Sequence, residues 1–440
     1  MPIYVICRKR MQRQRRRLVI TENNNQNVKK IRLGIGFATG RKSFSKVLNA
    51  YAASWNFSMK NENMPDIELS LFVAYDTDYN HTQTTDYTNL PQDIVDLFED
   101  ITFSGIKDTR KRTERYSREY GLSEHDCSFL FDNGYAGKRN RILLAAIEKG
   151  VDYLLFLDDD EYPIAVTQGD YQCLWSGQRI FRQHLESITH ADITCGYHCG
   201  YVSPIPRITF NEKLSVDSFK EFIHAISNDA VKWDSIYELM EHGGVTYADK
   251  EMLIKNCAFE ESEENHCKFI SGSNLCINLT SPERTFPFFN PPEARGEDTF
   301  LSTLLTNRSV IRVPVYTFHD GFQEYRQLLN GALPIRLNPI TANSKTVKKR
   351  FYNACIGWVR YKPLLMYLTN PAEFDRNVTE ITEAFSHTLP QLCSYFEMDD
   401  FMNIMPEFTK YVRNVGKHAD RFLKTQQLWA EMMRSVKHVS

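Results

Sequence analysis

A chain of 440 residues with 42% hydrophobic and 25% charged residues can bury a large core and has the composition of a globular protein. Its net charge of −2 excludes a nucleic-acid binder that works by bulk charge, and no stretch reaches membrane-spanning length. The ten cysteines are scattered without a Cys-x-x-Cys pair and residues 2–7 are too short for a signal-peptide core, so reduced thiols and a cytoplasmic location are expected.

Arg8, Lys9, Arg10, Arg13, Arg15, Arg16 and Arg17 precede a polar run, Thr21 to Asn27, and residues 1–28 read as a disordered basic arm. Peripheral contact of this arm with anionic lipid at a membrane surface, or with RNA, is the alternative. Ile31 to Gly40 alternates apolar residues and turns at Arg41. Ser43 to Trp55 carries Val47, Leu48, Tyr51 and Trp55 at helical spacing, and Ile67 to Tyr75 is a second strand ending at Asp76. This β–α–β opening predicts a doubly wound sheet. Gly34-x-Gly36 does not complete a phosphate-loop pattern. Residues 77–132 are polar and charged, with a helix expected at Pro91–Glu99 and a solvated helix or loop at Lys107–Arg118.

The densest chemistry follows. Asn133 to Arg141 leads into a helix with Ile142, Leu143, Ala146 and Ile147 on one face and Gly150 as its stop. Lys138, Arg139 and Arg141 at its start oppose the helix dipole, so they suit a bound anion better than local stability. Tyr153 to Leu157 is an apolar run that continues into Asp158, Asp159, Asp160 and Glu161. It reads as a buried strand with acids at its carboxyl end, where open α/β sheets bind ligands. Adjacent carboxylates repel, a cation relieves them, and Mn²⁺ or Mg²⁺ prefers oxygen ligands and bridges to phosphates. A metal–diphosphate site is one reading; a solvated acidic turn is the other. Alternate residues of an extended segment point the same way, which pairs Asp158 with Asp160.

Ile193 to Tyr197 reads as a strand, and Cys195-Gly-Tyr-His198-Cys199 lacks the second pair a structural zinc needs. Helices are expected at Val216–Ile226 and Ala230–Glu241. Lys268 to Leu279 is a strand interrupted at Gly272-Ser273, either a bulge or a place of close backbone approach. Glu297-Asp298 opens a helix, where acids favour the dipole in any case. Val310 to Gly321 is a strand that ends in His319-Asp320. Beyond residue 340 the pattern is helical over Val347–Tyr367, Glu373–Phe385, Leu389–Phe396 and Met405–Val436, with breaks expected at Pro371, Pro390 and Pro406.

A basic helix start, a helix, a buried strand and Asp-x-Asp in this order resemble the nucleotide-sugar half of GT-A fold glycosyltransferases, most closely the family 2 type. The resemblance implies an α/β, Rossmann-like, mixed but mostly parallel sheet flanked by helices. It places a GT-A domain at 29–335, with a donor half to about residue 200 and an acceptor half beyond, and a helical region at 336–440. It implies Thr39, Arg41 and Asp76 near the base and ribose. Lys138, Arg139, Asp158 and Asp159 would lie on the donor nucleotide, and Gly272 and Ser273 at its sugar. Asp158, Asp160 and His319 would be ligands of Mn²⁺ or Mg²⁺, and Asp298, or else Glu297, the base. The implied activity moves a sugar, with inversion, from a nucleoside-diphosphate sugar to a glycan or other hydroxyl acceptor. No nucleic-acid partner is expected. A sugar-phosphate nucleotidylyltransferase and a non-catalytic carbohydrate-binding protein remain as other readings.

Overall fold

The computed structural model describes residues 30–436 apart from 63, 79, 106–108, 132–133, 228–232, 326 and 329–330. The basic arm expected over 1–28 lies outside the described residues. Among them, one nine-stranded sheet organises the chain. Its strands are β1 (Ile31–Thr39), β2 (Ile67–Tyr75), β3 (Asp100–Gly105), β4 (Tyr153–Leu157), β5 (Glu161–Tyr162), β6 (Ile193–Gly200), β7 (Phe259–Glu260), β8 (Leu275–Asn278) and β9 (Val310–His319). The order is β3-β2-β1-β4-β8-β6-β9-β5, with β7 on the flank of β9. β3, β2, β1 and β4 run parallel, as do β6 and β9, and β8 enters antiparallel between β4 and β6. The chain therefore has the mixed α/β architecture expected: a mostly parallel sheet flanked by helices and followed by C-terminal helices.

All five residues of β4 are buried, because this strand is covered on both faces. On one face α1 (Phe44–Asn61) buries Phe44, Val47, Leu48, Tyr51 and Trp55. On the other, α2 (Tyr135–Glu148) buries Ile142, Leu143, Leu144 and Ile147, each contributing about 1.5–3 kcal/mol. Gly36 allows that approach: a Cβ there would come within 2.8 Å of Ile142. Its place in the sequence thus reflects helix–sheet contact, in keeping with the incomplete phosphate-loop pattern.

The polar stretch 77–132 held a strand that alternation did not reveal, β3, paired with β2 from Ser70↔Asp100 to Tyr75↔Gly105. The helix expected at Pro91–Glu99 is shorter, Gln92–Val95. In the C-terminal part, α3 (Lys345–Thr369), α4 (Phe374–Phe396), α5 (Ile404–Arg413) and α6 (Val415–Ser435) follow one another. Pro390 does not break the chain as expected, because α4 runs through it. An interior proline costs about 3 kcal/mol, but Ile381, Phe385, Leu389, Leu392 and Phe396 are buried on either side of it and outweigh that cost. One hydrophobic cluster joins Ile205–Met240 with residues of α3, α4 and α5, so it crosses residue 335. Leu428, Trp429, Met432 and Met433 of α6 join the cluster under α2.

Candidate functional site

Register brings the chemistry to one edge of the sheet. Phe37 lies opposite Leu157 in the parallel β1–β4 pair, so two residues further on Thr39 faces Asp159. The Thr39 hydroxyl donates to Asp159 Oδ2 at 2.5 Å. β2 ends level with β1, Thr39↔Tyr75, which sets Asp76 beside them. β8 runs the other way, so its first residue, Leu275, pairs with Phe156 at the same edge and the turn Gly272–Asn274 lies just beyond it. The end of β9 brings His319 opposite Glu161.

Each acid of the run meets an internal partner. Asp158 Oδ1 accepts from Arg139 Nη2 at 3.2 Å. Arg41 Nη1 lies 2.6 Å from both Asp159 Oδ1 and Asp160 Oδ2. Asp160 Oδ2 also lies 3.2 Å from His319 Nε2. Glu161 accepts from Ser273 Oγ and Thr317 Oγ1, both at 2.8 Å, and His198 Nδ1 stands 3.0 Å from it. Thr39, Asp159 and Glu161 are buried, whereas a third of the Asp158 side chain is open to solvent.

The partners set the proton affinities. Burial opposes the charge on Asp160, but His319 and Arg41 outweigh it and hold the carboxyl well below the usual range. Burial likewise opposes the His319 imidazolium, yet Asp160 and Glu161 raise it to about 9. At Asp158, burial and the neighbouring acids overcome Arg139, and the carboxyl sits above the usual range.

The basic helix start is present, but its cations divide. Arg139 is buried between Asp158 and Glu297, with its Nε 3.5 Å from Glu297 Oε1, and it lies over the rings of Phe156 and Phe288. Gly272 allows this: a Cβ there would stand 3.0 Å from Arg139 Nη2. Lys138 is buried with its ammonium 4.8 Å from the centre of the Tyr135 ring. Arg141 turns inward and donates to the Phe131 carbonyl at 3.3 Å, tying α2 to the helix before it. Asn140 does the same through Leu130 and Phe288.

The turn before β8 joins the two acidic groups. Gly272 N donates to Asp298 Oδ2 at 3.2 Å, while Ser273 reaches Glu161. Asn274, buried at φ 50°, donates to the carbonyls of Tyr197 and Val315 and meets His184 Nε2 at 3.0 Å. Gly196 must be glycine here, because a Cβ would fall 2.0 Å from Asn274 Nδ2. Glu297 and Asp298 open a short helix, α-helical from Glu297 to Ser302, after Gly296 at φ 97°. Asp298 is half-buried, and burial followed by the charge of Glu297 raises it to about 6.

Asp160 supplies the oxygen donor that Mn²⁺ or Mg²⁺ prefers, and His319 could join it as a ligand only once its imidazolium gives up the Nε2 proton. Their 3.2 Å separation is that of an ion pair, and Arg41 Nη1 meets the same Asp160 oxygen. His319 Nδ1 lies 2.7 Å from the Tyr201 carbonyl, which fixes the ring with Nε2 toward Asp160. Such ions take one or two protein ligands and fill the remaining positions with water and phosphate oxygens. Asp158 faces Arg139 rather than this pair, and among the described residues no group of three or more His, Cys, Asp or Glu could hold a metal ion.

No family model matches the chain, and no curated protein matches it. Among solved structures, the galactosyltransferase LgtC in complex with donor and acceptor sugar analogues aligns with 78% of this chain and 99% of its own at 12% identity. The TM-score is 0.25, and a likeness of that degree carries no argument. No helix among the described residues is long and apolar enough to cross a membrane.

His198, Thr317, Tyr135 and Arg350 belong to the site although their sequence neighbourhoods did not single them out for it. Arg350, on α3, lies over the Phe322 ring at 4.2 Å and adds positive charge near Asp160. His198 had a signal, its Cys-x-x-His-Cys context, but as a zinc motif that context lacks its second pair. In the fold Cys195 and Cys199 are buried thiols and His198 serves Glu161.

Proposed function

We propose that this protein is a metal-dependent glycosyltransferase of the GT-A type, moving a sugar with inversion from a nucleoside-diphosphate donor to a hydroxyl acceptor. The observation that carries the reading is the turn Gly272–Asn274. It is bonded on one side to Glu161 of the acidic run and on the other to Asp298, so a donor-type acid cluster and a half-buried carboxylate of raised proton affinity share one support. A donor diphosphate would lie against Lys138 and Arg139, with its base and ribose toward Asp76, Thr39 and Arg41. Asp160 and His319, with Asp158 nearby, would hold Mn²⁺ or Mg²⁺, which supplies positive charge to the departing diphosphate.

In this reaction the acceptor oxygen attacks the anomeric carbon, the carbon–oxygen bond to the diphosphate breaks, and the acceptor proton passes to Asp298. A carboxylate with a proton affinity near 6 is ionised at neutral pH yet basic enough for that step. Gly272 N and Thr299 N both donate to Asp298 and fix its oxygens. Arg139 offsets charge on the leaving group from a buried position that needs no reorganisation. Gly272 is buried, and its missing side chain leaves room for Arg139 beside the proposed sugar site.

The test is Asp298→Asn in the full chain, with candidate nucleotide sugars screened in the presence of Mn²⁺. Turnover should fall about a hundredfold or more while the nucleoside diphosphate binds as before. Retained transfer by both Asp298→Asn and Glu297→Gln would remove the base assignment. Release of pyrophosphate in place of a nucleoside diphosphate would identify a nucleotidylyltransferase.

A further inference from the structure

Tyr135, the first residue of α2, carries two cations on its ring. Lys138 Nζ stands 4.8 Å from the ring centre and Arg295 Cζ stands 5.7 Å from it. Lys138 is only 5% exposed, and among the described residues no carboxylate comes within ion-pair distance of either cation. A buried ammonium without an acid is costly unless a ligand brings the counter-charge. The charges felt most strongly by Lys138 include Asp76, Asp159 and Glu297, so its head lies inside the site rather than on an outer face. Arg295 comes from the opposite part of the chain, is exposed, and stands three residues before Asp298. The ring attracts both cations, so two positive charges stand within 5.7 Å of its centre, where a group with more than one negative charge would complement them.

We propose that Lys138 and Arg295, gathered on the ring of Tyr135, form a phosphoryl clamp that takes the diphosphate of the donor and ties it to the helix carrying Asp298. The clamp rests on the donor reading given above and adds to it a cation from the acceptor side. Donor binding then draws Arg295, and with it the Gly296–Asp298 turn, toward the leaving group. A phosphate carried by the acceptor offers the same chemistry, and competition separates the two sources.

The experiment is calorimetry of the full-length protein with inorganic pyrophosphate, without metal. Wild type should bind it, and Arg295→Ala should weaken binding about tenfold, the usual effect of losing one charge-assisted contact. Lys138→Ala should weaken it at least as much, and Tyr135→Leu should reduce the further loss caused by Arg295→Ala. Because Arg295 is exposed, its variant should melt with the wild type, which keeps the test valid even if Lys138→Ala fails to fold. A nucleoside diphosphate should displace the pyrophosphate; simultaneous binding of both would overturn the donor assignment. Wild-type affinity in Arg295→Ala, or no binding by wild type, would overturn the clamp. Arg295-dependent pyrophosphate binding in a protein that transfers no sugar from any nucleotide sugar would sink the transferase reading and leave the clamp standing.

Discussion

Asp298 and Asp160 are both carboxylates near cations, yet their proton affinities part in opposite directions. Asp160 receives Arg41 and His319 directly, whereas Asp298 has burial and Glu297 against it. A folded-state value raised to about 6 means that Asp298 supports the fold while protonated. That contribution is complete below the unfolded value of about 3.9 and is lost as pH rises through 6. Transfer should therefore rise with pH through about 6 and then level, read as kcat/KM against pH, and Asp298→Asn should be at least as stable as wild type above that point while inactive. A slope absent near 6 would exclude this group as the base. His184 has the reverse sign. Burial, only partly opposed by the Asn274 bond, depresses it to about 4. Its contribution is present above the unfolded value of about 6.5 and is lost as pH falls toward 4. The melting temperature should drop over that interval, and His184→Gln should flatten the drop. An identical acid profile in the variant would show that other groups govern it.

At the scale of elements, the site depends on how a few short segments end. β8 is four residues long, and its value lies in the turn that precedes it, pinned by Asn274 against β6 and β9. The helix that opens at Glu297 starts from a left-handed glycine, and a Cβ on Gly296 would press on the Tyr361 ring at 3.0 Å, so α3 fixes the direction of the proposed base. Within α4, Pro390 is tolerated rather than needed. Pro390→Ala restores an N–H toward the Ser386 carbonyl and should stabilise the protein by up to about 3 kcal/mol, less about 1 kcal/mol from the freer unfolded chain. A melting temperature that stays or falls would indicate that α4 is adapted to the proline.

For the whole molecule, the C-terminal helices are part of the same body as the sheet. Trp429 of α6 is buried and donates to the Thr285 hydroxyl at 3.0 Å, and its neighbours share a cluster with β4 and α2. Trp429→Ala should cost about 3–5 kcal/mol, and the chain should unfold in one calorimetric transition. Two separated transitions would mean that the helices fold on their own.

Local periodicity was enough to read β4, the helix Val216–Ile226, the start of α2 and the strand carrying His319, because burial on one face repeats with the period of the backbone itself. It was enough, too, to read the acids as a strand-end cluster beside a basic helix start. It could not assign their partners. Thr39 and Asp159 are 120 residues apart, as are Ser273 and Glu161 by 112, and only sheet register brings them together. Nor could it reveal that β8 enters antiparallel and carries its turn to the acidic edge, or that Arg141 turns to the Phe131 carbonyl while no carboxylate among the described residues pairs with Lys138. Residue type limits which bonds a side chain can make; long-range pairing decides which of them it makes, and so whether a carboxylate is neutralised, as Asp160 is, or kept basic, as Asp298 is.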